Sequence, residues 1–157
     1  MYSRILVPVD GSAPSNHGLE EAMKLASLTG ARLLLLHVVD ELSAAMSMAG
    51  FATVSTDVFA LLKEGGEQVL KQAREEVERR NLPVQTMLIE NFSGRLCDVV
   101  AEQVKKWGAD LLVLGSHGRR GVGRLVLGSD AEQIIRTSLV PVLVVRASET
   151  AAAAATR

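Results

Sequence analysis

Short apolar runs alternate along the chain with longer segments whose apolar residues recur every three or four positions. Ile5-Leu6-Val7-Pro8-Val9 has the length of a strand and ends in the turn signal Asp10-Gly11-Ser12. From about Pro14 to Gly30, the residues Leu19, Ala22, Met23 and Ala26 fall on one helical face, with Gly30 as the stop. Leu33 to Val39 is a second strand, apolar on both faces apart from His37, as a parallel sheet demands. Asp40 to Thr56, rich in Ala, Ser and Met, reads as a loop or lid. A helix is predicted from about Asp57 to Arg80, with Glu67 and Lys71 spaced for an i,i+4 ion pair. Gly65-Gly66 weakens the middle of that helix and leaves room for a kink or break. Pro83 to Glu90 gives the third strand, and Leu96, Val100, Val104 and Trp107 mark the inner face of the next helix. Asp110 to Gly115 is the fourth strand, Ser129 to Ser138 a short helix, and Val140 to Arg146 the fifth strand. Residues 148–157 lack a periodic apolar pattern and read as a flexible tail to a domain spanning residues 1–147.

Five strands alternating with four helices predict an α/β fold: a parallel, doubly wound sheet with helices on both faces. The simplest order is 3-2-1-4-5. In that order the chain reverses direction between strands one and four. Ligands of open α/β sheets bind outside the carboxyl ends of strands at such a switch point. Asp10-Gly11-Ser12 and Gly115-Ser116-His117-Gly118 both sit at those ends.

Composition narrows the partners. Seventeen basic residues against eighteen acidic ones leave a formal charge of -1, so nothing suggests the basic face that nucleic acid requires. Aromatic residues make up only 3%, too few for base-stacking platforms, and the core must be aliphatic. The one cysteine, Cys97, allows no internal disulfide and fits a reducing compartment as a buried, inert thiol. The chain opens on a strand-like run without a charged region and a long apolar segment behind it. Its purely apolar runs, Leu33 to Leu36 among them, fall far short of the roughly 20 residues of a membrane helix. The expected location is the cytoplasm. His17, His37 and His117 do not have metal-ligand spacing.

The most informative stretch runs from Gly115 to Ser129 and holds five of the chain's thirteen glycines, between a strand and a helix. Glycines let backbone N–H groups close on an anion, and the following helix presents free N–H groups and the positive end of its dipole. Arg119, Arg120 and Arg124 add positive charge. Together these features suit a polyphosphate. The segment is not a Walker A loop, because Arg124-Leu125 stands where Lys and Ser/Thr are required. It is not a dinucleotide fingerprint either, because Val126 occupies the third glycine's place.

Gly115-x2-Gly118-x9-Gly128-Ser129 resembles the ATP-binding signature of the universal stress proteins. Leu6-Val7-Pro8-Val9-Asp10-Gly11-Ser12, Leu36-His37-Val38, Ala109 to Gly115 and Pro141 to Val145 resemble that family's first, second, fourth and closing strands, in the same order. The resemblance covers about residues 2 to 146 and is to the subgroup that keeps the glycine signature and binds ATP. It implies that Asp10 meets the ribose or the adenine edge and that Val38 hydrogen-bonds adenine through its backbone. Gly115, Gly118 and Gly128 would let the loop fold around the phosphates, with Ser129 supplying a hydroxyl and a backbone N–H. The full set expected at the nucleotide is Pro8, Val9, Asp10, Ser12, Val38, Gly115, Ser116, His117, Gly118, Arg119, Arg120, Gly128, Ser129 and Asp130, with ATP held together with Mg²⁺. Arg119 and Arg120 enter that set on charge alone. The resemblance also suggests a homodimer through the strand Val140 to Val145, whose edge would be unpaired.

Asp130 departs from the family, which usually has a small apolar residue there. A carboxylate in the first turn suits the helix dipole but repels phosphate, unless it holds a bridging metal. Plainer readings stand beside each of these. Ser129 and Glu132 have the spacing of a capping box, and Asp10 could cap the first helix or close a turn. No ordered catalytic set is legible, so an ATP-dependent regulator of the stress response with an unknown protein partner is expected rather than a dedicated enzyme. The alternatives are a slow ATPase or phosphotransferase, and a nucleotide-free dimeric interaction module.

Overall fold

The structure, a computed structural model, describes residues 1–40, 56–91, 94–116 and 127–146. Its elements follow in the order β1 (Arg4–Pro8), α1 (Ala13–Thr29), β2 (Arg32–Asp40), α2 (Thr56–Arg79), β3 (Val84–Asn91), α3 (Leu96–Trp107), β4 (Leu111–Gly115), α4 (Ser129–Thr137) and β5 (Val142–Val145). The five strands form one parallel sheet in the order β3-β2-β1-β4-β5, as the alternation of elements predicted.

Both faces of the central strands are buried, and the two-residue period divides their side chains between two cores. Ile5, Val7, Leu33, Leu35 and Val113 meet Leu19, Met23, Leu70 and Val77 of α1 and α2 on one face. Leu6, Leu34, Leu36, Leu112 and Leu114 meet Val100, Val104 and Ile134 of α3 and α4 on the other. Leu33 to Leu36 are at most 1% exposed, and each such side chain contributes on the order of 2 kcal/mol of apolar burial. Cys97 is buried between α3 and α4, its Sγ 3.7 Å from Gln133 Oε1.

Local signals set the helix ends. The Ser12 hydroxyl accepts the Ser15 N–H at 3.3 Å and caps α1 at its start, while Gly30, at φ 72°, closes its last turn with an N–H to Ala26.

Three expectations need correction. The helix over Gly65-Gly66 runs unbroken, and Gly66 serves close packing instead: a Cβ there would lie 2.6 Å from His37 Cδ2 and 2.9 Å from Leu88 Cδ1. Glu67 and Lys71 make no ion pair with each other; they flank an open groove between α2 and β3, and among the described residues α2 pairs Arg74 with Glu78 at 2.7 Å and Lys63 with Glu90 at 2.6 Å. An exposed i,i+4 pair is worth only tenths of a kcal/mol, too little to compel either side chain. The fifth strand begins at Val142 rather than Val140, because Ser138 Oγ both donates to the Val140 carbonyl and accepts its N–H, closing a turn. The predicted lid between Asp40 and Thr56, apart from those two residues, and the predicted tail lie outside the described residues.

Candidate functional site

The reversal of chain direction falls between β1 and β4, with β2 on one side and β5 on the other, and the carboxyl ends of strands at such a point are where open α/β sheets hold a ligand crevice. Pro8 ends β1 beside Leu36 in the ladder, and the Val9 N–H still reaches the Leu36 carbonyl at 2.8 Å. Past that bond the ladder to β1 stops while β2 continues to Asp40. The two-residue period of a strand turns the Val38 N–H and carbonyl the same way as the Leu36 carbonyl, into the space where β1 has ended. His37 is 7% exposed, and its Nδ1 lies 2.7 Å from the Val9 carbonyl, which pins the β1 terminus to β2.

Asp10 closes a tight turn into α1. One carboxylate oxygen accepts the Ser12 N–H at 2.9 Å, and the Asp10 N–H donates to the Ser15 hydroxyl at 3.1 Å. The cap of α1 is therefore Ser12, and Asp10 shapes the turn in front of it. Ser15 is buried, and sequence reasoning overlooked it; its place three residues after a capping serine was the available signal.

Gly115 ends β4 directly beneath the start of α1. A side chain at Gly115 would drive into the Pro14 carbonyl, and a Cβ on Gly18 would come 2.9 Å from the Gly115 N. Both glycines are set by the approach of helix to strand. Gly18, also overlooked, carried the usual signal of an isolated glycine inside a helical pattern. Ser116 is buried, and its N–H donates to the Val145 carbonyl at 2.8 Å while its carbonyl accepts the Gly128 N–H at 3.1 Å. The last residue of β5, the end of β4 and the start of α4 are thus joined by two main-chain hydrogen bonds.

The N-cap of α4 is Gly128, with no side-chain capping bond, and Ser129 occupies the first helical position. The capping-box expectation is thereby overturned, because Ser129 sits one residue too late to cap, and Glu132 instead holds Arg136 at 2.8 Å. Ser129 and Asp130 are exposed, so α4 presents its first N–H groups, a hydroxyl and a carboxylate at the mouth of the crevice. His117, Gly118, Arg119 and Arg120 lie outside the described residues. Of the expected set, the structure brings Pro8, Val9, Asp10, Ser12, Val38, Gly115, Ser116, Gly128, Ser129 and Asp130 to the carboxyl end of the sheet. Among the described residues, no three or more His, Cys, Asp or Glu side chains gather as a metal site.

The profile of the Universal stress protein family matches residues 1–146. Universal stress protein MJ0531 of Methanocaldococcus jannaschii is 32% identical over 151 residues, which cover 93% of this chain and 83% of that one. The solved structure of MJ0577, from the same organism, superposes with a TM-score of 0.80 at 26% identity, covering 95% of this chain and 99% of its own. A family member from Arabidopsis thaliana, solved with AMP bound, shares the fold at a TM-score of 0.65 and 17% identity, covering 95% and 94% of the two chains.

Proposed function

The chain belongs to the universal stress protein family, and on that premise we propose that it is an ATP-binding regulator of the cellular stress response. The observation that carries this reading is the convergence, at one crevice, of the Val38 main chain beyond the end of β1, the Asp10 turn, and the start of α4 behind Gly128. Adenine needs one donor and one acceptor at fixed spacing, which the main chain of a strand end offers. A polyphosphate needs N–H groups and a close backbone approach, which Gly115, Gly128 and the first turn of α4 offer together with the glycines and arginines that follow Ser116. AMP in the Arabidopsis relative is consistent with the nucleoside part of this reading.

Mg²⁺ would travel with the triphosphate, and the exposed Asp130 in the first turn of α4 would either repel the phosphates or meet the metal. Occupancy would act on residues 41–55, which follow β2, and so change the surface offered to a protein partner. A homodimer through the fifth strand is part of the same reading. β5 is an edge strand whose Leu143 is 36% exposed, and Ile135 in α4 and Leu139 after it are also exposed. The lone thiol of Cys97 supports a cytoplasmic setting.

The test is calorimetric titration of the nucleotide-stripped protein with Mg-ATP, beside a Gly118→Val variant. Micromolar binding that is lost in the variant is expected. No heat at millimolar ATP from a folded protein would overturn the reading in favour of a nucleotide-free interaction module.

A further inference from the structure

The sheet has two edges, and they differ in length. β5 forms one with 4 residues, and β3 forms the other with 8, Val84 to Asn91. The Pro83 carbonyl accepts the Leu33 N–H at 2.9 Å, so Pro83 and every second residue after it turn their main chain toward β2. Val84, Thr86, Leu88 and Glu90 therefore turn their N–H and carbonyl groups away from the sheet. Among the described residues, no main-chain hydrogen bond reaches those groups. Strand edges are usually guarded by a proline, a lysine or a bulge. β3 carries neither residue, and its register with β2 is unbroken from Val84 to Asn91. Its one charged side chain, Glu90, is held by Lys63.

Beside this edge lies an open groove of about 320 Å³, lined by Glu67, Leu70, Lys71 and Arg74 of α2 and by Thr86 and Leu88 of β3. The groove and the edge share Thr86 and Leu88, so they form one continuous surface. Its charge changes sign within a helical turn, from Glu67 to Lys71. Neither side chain makes an ion pair among the described residues. Gly66 sets the level of this pair against the strand, since a Cβ there would lie 2.9 Å from Leu88 Cδ1. The helix runs back against β3. Met87, about 3.3 Å before Leu88 along the strand, therefore lies level with the helix about two residues beyond Gly66. That level falls between Glu67 and Lys71.

We propose that a second copy of this chain docks here, the two β3 strands pairing antiparallel about a two-fold axis at Met87 and joining both sheets into one. Met87 then faces the partner's Met87, Thr86 pairs with the partner's Leu88, and Val84 pairs with the partner's Glu90. Every outward N–H and carbonyl from Val84 to Glu90 finds a hydrogen-bond partner in that register. The same rotation sets Glu67 across the joined grooves from the partner's Lys71, and Lys71 from the partner's Glu67. A surface whose charge reverses about the axis is complementary to itself, which favours a second copy over a partner of single charge sign. A homodimer through β5 would use the other edge of the sheet, so the two pairings do not compete. Neither edge pairing depends on nucleotide.

Light scattering on the full chain, with variants of the edge, tests the proposal. Thr86→Pro removes an outward N–H and leaves the ladder to β2 intact, a substitution edge strands tolerate. It should halve the particle mass while its thermal melt shows a folded chain. Lys71→Glu should weaken self-association about fivefold, and Glu67→Lys combined with Lys71→Glu should restore it. Opposed residues of a non-hydrogen-bonded antiparallel pair lie about 4.5 Å apart, within disulfide reach. Met87→Cys should therefore cross-link two chains under mild oxidation, whereas Gln85→Cys, opposite the partner's Ile89, should not. A parent that stays at the 16.8 kDa of one chain overturns the proposal and leaves the edge to an extended segment of another protein. So does an unchanged mass in folded Thr86→Pro. Where that variant does not fold, Met87→Cys cross-linking no faster than Gln85→Cys is the result that overturns it.

Discussion

The two ends of the sheet are built from the same five strands and four helices, yet they offer opposite chemistry. At the carboxyl end, the strands stop short of one another and two glycines, Gly115 and Gly128, border the crevice. The groups on offer there are largely main-chain: the Val38 N–H and carbonyl, and the first turn of α4. At the amino end, the chain presents long side chains, with Arg4 and Arg32 abreast and Tyr2 and Leu28 in water. A parallel sheet imposes this asymmetry. All its helices run back against the strands, so positive helix ends gather at one rim and negative ends at the other. Small residues leave the backbone accessible at the first rim. Cationic side chains complement the second.

Substitution at the contact beneath the carboxyl end has the largest expected effect. Gly115→Val has nowhere to place its side chain except against the Pro14 main chain, which cannot rotate away, and should cost about 3 kcal/mol in urea unfolding. A variant as stable as the parent would mean that α1 can lift off β4. Ser12→Ala, which removes the cap of α1 near the same crevice, should cost about 1 kcal/mol in the same assay.

Asp130→Asn sharpens the comparison electrostatically. Removing a carboxylate from the start of α4 should tighten Mg-ATP binding about fivefold in calorimetry, a difference of about 1 kcal/mol. Weaker binding would assign Asp130 to the metal instead.

The smallest effect belongs to the amino end. Burial alone would raise the Asp110 carboxyl, but the Arg4 N–H, the Ser3 hydroxyl and the Ser3 N–H outweigh it and hold it below the usual carboxylate value. A carboxyl lowered in the folded state stabilises fully above its unfolded value of about 3.9 and loses that contribution as pH falls through its folded value. Thermal melts of the parent and Asp110→Asn should therefore differ at neutral pH and converge in acid. A gap that stays constant down to about pH 2 would remove Asp110 from the clasp between the start of β1 and β4.

Much of this arrangement was legible in the residues. The alternation of strand-length runs with helical periodicity predicted the sheet order. Leu19, Ala22, Met23 and Ala26 marked the buried face of α1 correctly, as Val100 and Val104 did for α3. The candidate crevice followed from the topology together with Asp10 and the glycine-rich stretch. The failures share a cause. Gly65-Gly66 looked like a weak point because helix propensity is a property of one residue, while Gly66 answers to His37 and Leu88 across the core. Ser129 looked like a cap because the spacing to Glu132 fits, but the helix begins one residue earlier than that reading needs, behind Gly128.

What the sequence alone determined is therefore the set of elements and the faces they bury. Each of these depends on periodicity and on connections between consecutive segments. Only the tertiary structure decided that Gly115 makes room for Pro14, that Ser116 joins Val145 to Gly128, and that Arg4 stands beside Arg32. Those facts depend on distances between residues remote in the chain, which packing fixes and no local pattern encodes.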